Sequence, residues 1–157
     1  KWAISRPNYF MSNLMAMAEP VAKMGKLIMP LPPEATISMI HPLDIGECAA
    51  EMLINQDHAG QDYFLTGPAI TMGGVAEAIS EATGKEVSYM QVPVEAARKA
   101  MQEKGAPDWL LAHMGGMMGM MASGDAAHET DWVEKLTGHA PRTLKDWLSG
   151  AKAAFGG

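Results

Sequence analysis

Apolar residues recur along this chain in two ways, as short β-prone runs and as longer stretches with a three-to-four spacing. Residues 62–92 contain both. Tyr63, Phe64 and Leu65 form a β-prone run that ends at Gly67-Pro68, and Thr71 opens a segment with Val75, Ala78, Ile79 and Ala82 at helical spacing. Thr71 is placed to cap that helix, because its hydroxyl can accept an unpaired N–H of the first turn, and Gly84 suits the left-handed residue after its end. Val87 to Val92 alternates again. A strand–helix–strand stretch of about 30 residues is the smallest crossover of a parallel or mixed sheet. The pattern therefore predicts an α/β fold of short, mostly parallel strands covered by helices.

The remaining segments extend this reading. Trp2 to Ser5 has the character of a buried strand with Arg6-Pro7 as its exit, and such an end with nothing before it implies absent neighbours upstream. Asn8 to Met17 places Phe10, Leu14 and Met17 on one helical face, and Pro20 kinks that helix or starts another. Leu27–Met29 and Ile37–Ile40 are apolar runs on either side of Leu31-Pro32-Pro33-Glu34, a hairpin-like excursion or two strands joined by a stiff loop. Asp44 is expected to cap a helix over 45–54 with Glu47 as its capping-box partner and Ile45, Ala49, Met52 and Leu53 as its apolar stripe. Pro93 opens a helix that Gly105 ends. Asp108 caps a Met-rich helix in which Gly115, Gly116 and Gly119 each cost about 1 kcal/mol relative to alanine, so packing must hold it. Short helices follow at 131–136 and after Thr143. No repeat or linker divides the chain, which reads as one domain over 1–157.

Composition narrows the partners. A net charge of −6 over 157 residues, with no basic stripe, argues against nucleic acid and anionic membrane surfaces. The single cysteine, Cys48, excludes an intrachain disulfide and a multi-cysteine zinc site and points to a reducing, cytoplasmic setting. The most apolar stretch, around 109–122, is glycine-broken and shorter than the roughly 20 residues that span a bilayer.

Several motifs then coincide. Arg6-Pro7-Asn8-Tyr9-Phe10-Met11-Ser12-Asn13-Leu14 resembles the signature after the sixth strand of NmrA-like atypical short-chain dehydrogenases, and His41-Pro42-Leu43-Asp44-Ile45-Gly46 resembles their h-x-x-D-I-A step. The likeness continues through Tyr63 to Pro68, Gly84-Lys85, Val87 to Tyr89 and Gly105 to Leu110. It closes with Leu136-Thr137-Gly138-His139-Ala140-Pro141-Arg142-Thr143. The resemblance covers only the carboxyl-terminal half of that family. No glycine-rich turn of the G-x-G-x-x-G kind follows a strand here, and that turn holds the dinucleotide pyrophosphate in complete members.

The resemblance implies an NAD(P)H-dependent reductase of quinones, azo compounds or aromatic dyes, represented here by its substrate-binding half. NADP or NAD would serve the complete protein, and this chain alone would bind neither and be inactive. Pro7, Asn8 and Tyr9 would face the nicotinamide. Phe10, Asn13, His41, Met117 and Met121 would face a small aromatic or quinone-like substrate. The alternatives are a redox-sensing regulator without turnover and a cofactor-independent binder that dimerises over its open edge. Enzyme status stays open at this point, because residues 13, 67 and 93, four after the three tyrosines, are Asn, Gly and Pro rather than the lysine of a Tyr-x-x-x-Lys couple. No metal is expected. The five histidines form no H-x-x-x-H pair, and the methionines at 114, 117, 118, 120 and 121 fall at core-like helical spacing rather than in a copper-ligand array.

Overall fold

Six short strands and seven α-helices form in the computed structural model, which describes residues 1–157. The first strand, β1 (Ile4–Pro7), lies parallel to β4 (Asp62–Leu65), with Ile4 opposite Asp62 and Pro7 opposite Leu65. This places Arg6 and Pro7 inside the strand and leaves Trp2 before it, 59% exposed. Pairing decides the boundary, since the first ladder bond is Ile4 N–H to the Gln61 carbonyl at 2.9 Å. A Coulombic pair of Arg6 and Asp62, 2.7 Å apart, lies across the same ladder.

The expected helix over 8–17 forms differently. Tyr9 and Phe10 stay extended because they bridge to Ile40, whose N–H donates to the Tyr9 carbonyl at 2.9 Å and whose carbonyl accepts from Met11 N–H at 3.0 Å. Only Met11–Met17 then coils, as a 3₁₀ helix with Met11 and Leu14 buried. α1 (Ala18–Met24) follows and carries Pro20 in its first turn, where no intrahelical N–H is required. The two apolar runs beyond it are not a hairpin. β2 (Lys26–Met29) pairs in parallel with β6 (Ser88–Gln91), and β3 (Thr36–Ser38) pairs antiparallel with β5 (Ala69–Thr71). The stiff prolyl loop sends them to different partners.

The segment 62–92 is likewise not one closed crossover. α3 (Met72–Thr83) has the expected Thr71 cap and left-handed Gly84, but β4 and β6 on either side of it join different strand pairs. Gly67 is required for this arrangement, because a Cβ there would collide with the Met39 carbonyl as the chain leaves β4.

Two apolar clusters result. The larger contains 21 buried residues, among them Leu14, Leu27, Ile37, Ile79, Leu148 and Phe155. It joins β2 and β3 to α1, α3 and α7 (Leu144–Ala151), and each fully buried aliphatic side chain contributes about 1.5–3 kcal/mol. The smaller contains Ile40, Cys48, Tyr63, Leu65, Val133 and Leu136, with α2 (Pro42–Ile54) packed on α6 (Trp132–Thr137). The outward end of α2 departs from expectation, since Leu53 is 82% exposed and Cys48 is the buried apolar residue. α4 (Val94–Glu103) and α5 (Asp108–Ser123) complete the layer, with Pro93 and Pro107 rather than Asp108 at the two cap positions. No helix is long and apolar enough to cross a membrane.

Candidate functional site

Three side chains at the carboxyl ends of strands reach for one stretch of chain. Asn8, just past β1, donates its Nδ2–H to the Ala126 carbonyl at 2.9 Å, and Ser38, ending β3, donates its hydroxyl to the Ala127 carbonyl at 2.8 Å. Thr66, just past β4, accepts the Thr130 N–H at 2.8 Å, while the Thr130 hydroxyl donates to the Phe64 carbonyl at 2.6 Å. Residues 126–130 are thereby tied across the strand ends. α5, which leads into them, buries Met118 and Met121 in the larger core.

A groove of about 390 Å³ opens between these parts. The segment after β1 contributes Pro7, Asn8, Tyr9, Phe10 and Asn13, and α5 contributes Met117, Met120 and Met121. Phe64, Asp125 and Ala126 complete the lining. Seven of the eight residues singled out from the sequence therefore meet in one place. The position is the usual one for ligands of an open α/β sheet, outside the carboxyl ends of its strands.

Its chemistry is apolar with a few polar handles. Phe10 is 38% exposed and Met120 44%, so aromatic and thioether surface is free for contact. Burial pushes the Tyr9 phenol up to about 12, which keeps it protonated and able to donate at neutral pH. With its amide nitrogen held by Ala126, Asn8 is fixed in orientation. Asp125 places a carboxylate at the groove, and its Oδ2 accepts from Ser123 Oγ at 2.7 Å.

His41 lies elsewhere. It is the residue that caps α2, its Nδ1 accepting Leu43 N–H at 3.0 Å, and burial lowers its pKa below the usual histidine value. The sequence expectation that Asp44 caps this helix with Glu47 fails for the same reason. Asp44 stands one turn inside, fully buried, and accepts the Arg142 backbone N–H at 2.8 Å along with the Arg142 guanidinium. Glu47 receives the same guanidinium through both oxygens, at 2.9 and 2.8 Å, and His139 Nε2 lies 2.7 Å from it. His139 Nδ1 lies 2.8 Å from the Ala140 carbonyl. Only the imidazolium can donate from both nitrogens, so the geometry itself calls for a charged His139. Asp44, Glu47 and His139 offer ligand atoms within 4.8 Å of one another, but Arg142 already supplies the cation there. The cluster is a clasp that fastens the chain before α7 to the start of α2.

Other reactive candidates are quiet. Cys48 is buried and its thiol is raised to about 11, chiefly by desolvation, so it is no nucleophile. His58 Nδ1 lies 2.7 Å from the Tyr63 hydroxyl, inside the smaller cluster's edge. A larger cleft of about 450 Å³ lies beside β1 and α2, lined by Trp2, Ser5, Met52 and Leu53 among others, and the Ser5 hydroxyl is buried there without a partner. Its polar lining is Lys1, Ser5, Asn55 and Gln56, and Lys1 is already bound to Gln56 at 3.0 Å.

Sequence reasoning missed Phe64, Asp125 and Ala126, and placed Met120 only within the methionine cluster of α5. Phe64 could have been read from its place near a strand's carboxyl end. Nothing local marks Asp125 or Ala126. They reach the groove because Asn8 and Ser38 hold their turn.

The sequence profile of the NmrA-like family matches residues 2–148. An NAD(P)H azoreductase from Xenophilus azovorans is 34% identical over 156 residues, which is 99% of this chain and 54% of that protein. A structure described as a nucleoside-diphosphate-sugar epimerase from Staphylococcus aureus superposes with a TM-score of 0.82 at 28% identity, over 92% of this chain and 50% of its own. The NADPH complex of an Escherichia coli quinone oxidoreductase superposes at 0.79 with 24% identity, over 93% and 52% of the two chains, which is a likeness of fold. The chain spans about half the length of the relatives it matches. With the family profile matching residues 2–148 of 157, this chain belongs to the NmrA-like family.

Proposed function

We propose that the groove is the acceptor site of an NAD(P)H-dependent oxidoreductase and takes a planar aromatic or quinone-like molecule. The observation that carries this reading is the meeting of Phe10, Phe64 and three methionines with two asparagine amides and a neutral phenol at the end of β1. Flat rings gain dispersion against aromatic and thioether groups, and the phenol and amides can hydrogen-bond a carbonyl or azo nitrogen at the ring edge.

The dinucleotide fits this chain in part. Pro7, Asn8 and Tyr9 suit its nicotinamide end, which is flat and carries a carboxamide. Nothing at the groove suits its phosphates, since no lysine, arginine or glycine-rich turn lines it and Asp125 opposes them. When bound, NAD(P)H supplies a hydride. The residues of this chain hold the acceptor in line for it and exclude water, a contribution by positioning rather than by a strong proton donor.

Titrating 1,4-naphthoquinone and NADPH separately into the 157-residue chain, read by tryptophan fluorescence and calorimetry, tests this. Saturable quinone binding that weakens about tenfold in Phe10→Ala, with no saturable NADPH binding, is expected. A folded chain that ignores the quinone would refute the reading. A second reading is favoured by the orphaned Ser5 hydroxyl and the exposed Trp2 and Leu53 beside β1, namely a homodimer closed over that edge. Sedimentation equilibrium of the chain and of Leu53→Glu decides it.

A further inference from the structure

Of the eleven residues that line the groove, Asp125 alone carries a formal charge at neutral pH, and no lysine, arginine or histidine is among them. Its carboxylate is not neutralised within the chain. Asp125 makes no salt bridge, its Oδ2 accepts from the Ser123 hydroxyl at 2.7 Å, and its Oδ1 has no partner. The turn that carries it, Asp125–Ala127, is held by Asn8 and Ser38 through the Ala126 and Ala127 carbonyls, which keeps the carboxylate's backbone anchor beside the segment that bears Phe10.

From this arrangement we infer that the groove selects by charge, with Asp125 as its specificity-determining residue, and prefers planar aromatic cations such as N-alkylated heteroaromatics over neutral and anionic rings of the same shape. The aromatic faces and the carboxylate act in the same direction. A delocalised cation is attracted by the quadrupole of a phenylalanine face and by the Asp125 carboxylate at its rim, whereas an anion meets both as repulsion. The thioethers of Met117 and Met120 add polarisable contact without charge and so leave the sign of the preference to Asp125. Because that carboxylate is exposed, solvent screens it, and the preference for cation over neutral ring is about fivefold at low salt.

This inference rests on the groove's being an aromatic acceptor site, and the experiment separates the two. Three tricyclic probes of nearly equal shape are titrated into the chain at low salt by fluorescence and calorimetry: 10-methylacridinium, neutral 10-methylacridone and anionic anthracene-2-carboxylate. The expected order of affinity is cation, neutral, anion, with about fivefold between the first two. Asp125→Asn brings the cation and the neutral probe to equal affinity. Asp125→Ser, which keeps a short polar side chain in the turn, replaces it if the amide variant unfolds. Glu81→Gln, which removes an exposed carboxylate on α3 outside the groove, controls for net charge and keeps the ratio. Neutral binding with no cation preference, or a preference that survives Asp125→Asn or disappears in Glu81→Gln, overturns charge selection while the acceptor site stands. Failure of all three probes to bind overturns both.

Discussion

The clasp around Arg142 and the groove beside Phe10 are both assembled from distant parts of the chain and end in opposite states. Each joins segments far apart in the chain, Asp44 with Arg142 in one case and Asn8 with Ala126 in the other. In the clasp every charge is matched. Both carboxylates accept the guanidinium, and His139 donates on both sides. In the groove apolar surface is left open, the Tyr9 phenol is uncharged and the Asp125 carboxylate has no cation. A polar cluster whose members satisfy one another has nothing left to offer a ligand. Whether a charge is partnered separates the structural cluster from the candidate site.

The strongest way to break this contrast is Arg142→Ala. It would leave the Asp44 carboxylate, which is fully buried, without its cation, and breaking such a pair costs about 3 kcal/mol or more. Urea denaturation should show that loss with an unchanged slope, and binding in the groove should persist under native conditions. A loss below about 0.5 kcal/mol would place Arg142 among ordinary surface ion pairs instead.

Methionine truncations on α5 sharpen the contrast at its boundary. Met121 is only 2% exposed and belongs to both the core and the groove, so Met121→Ala should cost about 2–3 kcal/mol and also weaken aromatic binding. Met120 is 44% exposed, and Met120→Ala should leave stability within about 0.5 kcal/mol while weakening binding alone. Thermal denaturation paired with ligand titration distinguishes the two. Equal stability losses would mean that the groove is simply more core.

A smaller effect concerns pH and centres on Glu47 of the clasp. Hydrogen bonds from Arg142, then from His139, hold the Glu47 carboxyl at about 2, below its ordinary 4.5. A depressed carboxylate stabilises the fold above its unfolded pKa and loses that contribution as pH falls through its folded value. The window is therefore from about 4.5 down to about 2. His41, lowered chiefly by burial despite the opposing Asp44 charge, loses stability in the same sense as pH drops below 6.5. His139 is raised, first by the Ala140 carbonyl and then by Glu47, so its contribution is present below 6.5 and fades as pH rises above it. In Glu47→Gln the thermal midpoint should fall less steeply between pH 4.5 and 2 than in the parent chain. A parallel curve would remove Glu47 from the acid response.

The elements were largely legible because their signals are local. Thr71 and Thr143 cap the helices expected of them, the second with Asp146 closing a capping box, and Gly84 and Gly138 end theirs in left-handed geometry. At Asp44 the same logic misled, because a capping box and a buried ion-pair partner at the third helical position look alike along the sequence. The aspartate's burial comes from Arg142, 98 residues away. The 62–92 stretch likewise has the periodicity of a crossover, yet β4 finds β1 and β6 finds β2.

By itself the sequence determined the α/β class and most of the helix ends, since periodicity and caps depend on neighbours a few positions apart, while the residues after β1 that line the groove were indicated by the resemblance to the NmrA-like family. Only the tertiary structure decided which strands pair and that Asp125 brings an unmatched charge to the Met-lined groove. Those outcomes depend on backbone hydrogen bonds and charges meeting across tens of residues, and no spacing rule along one chain encodes such meetings.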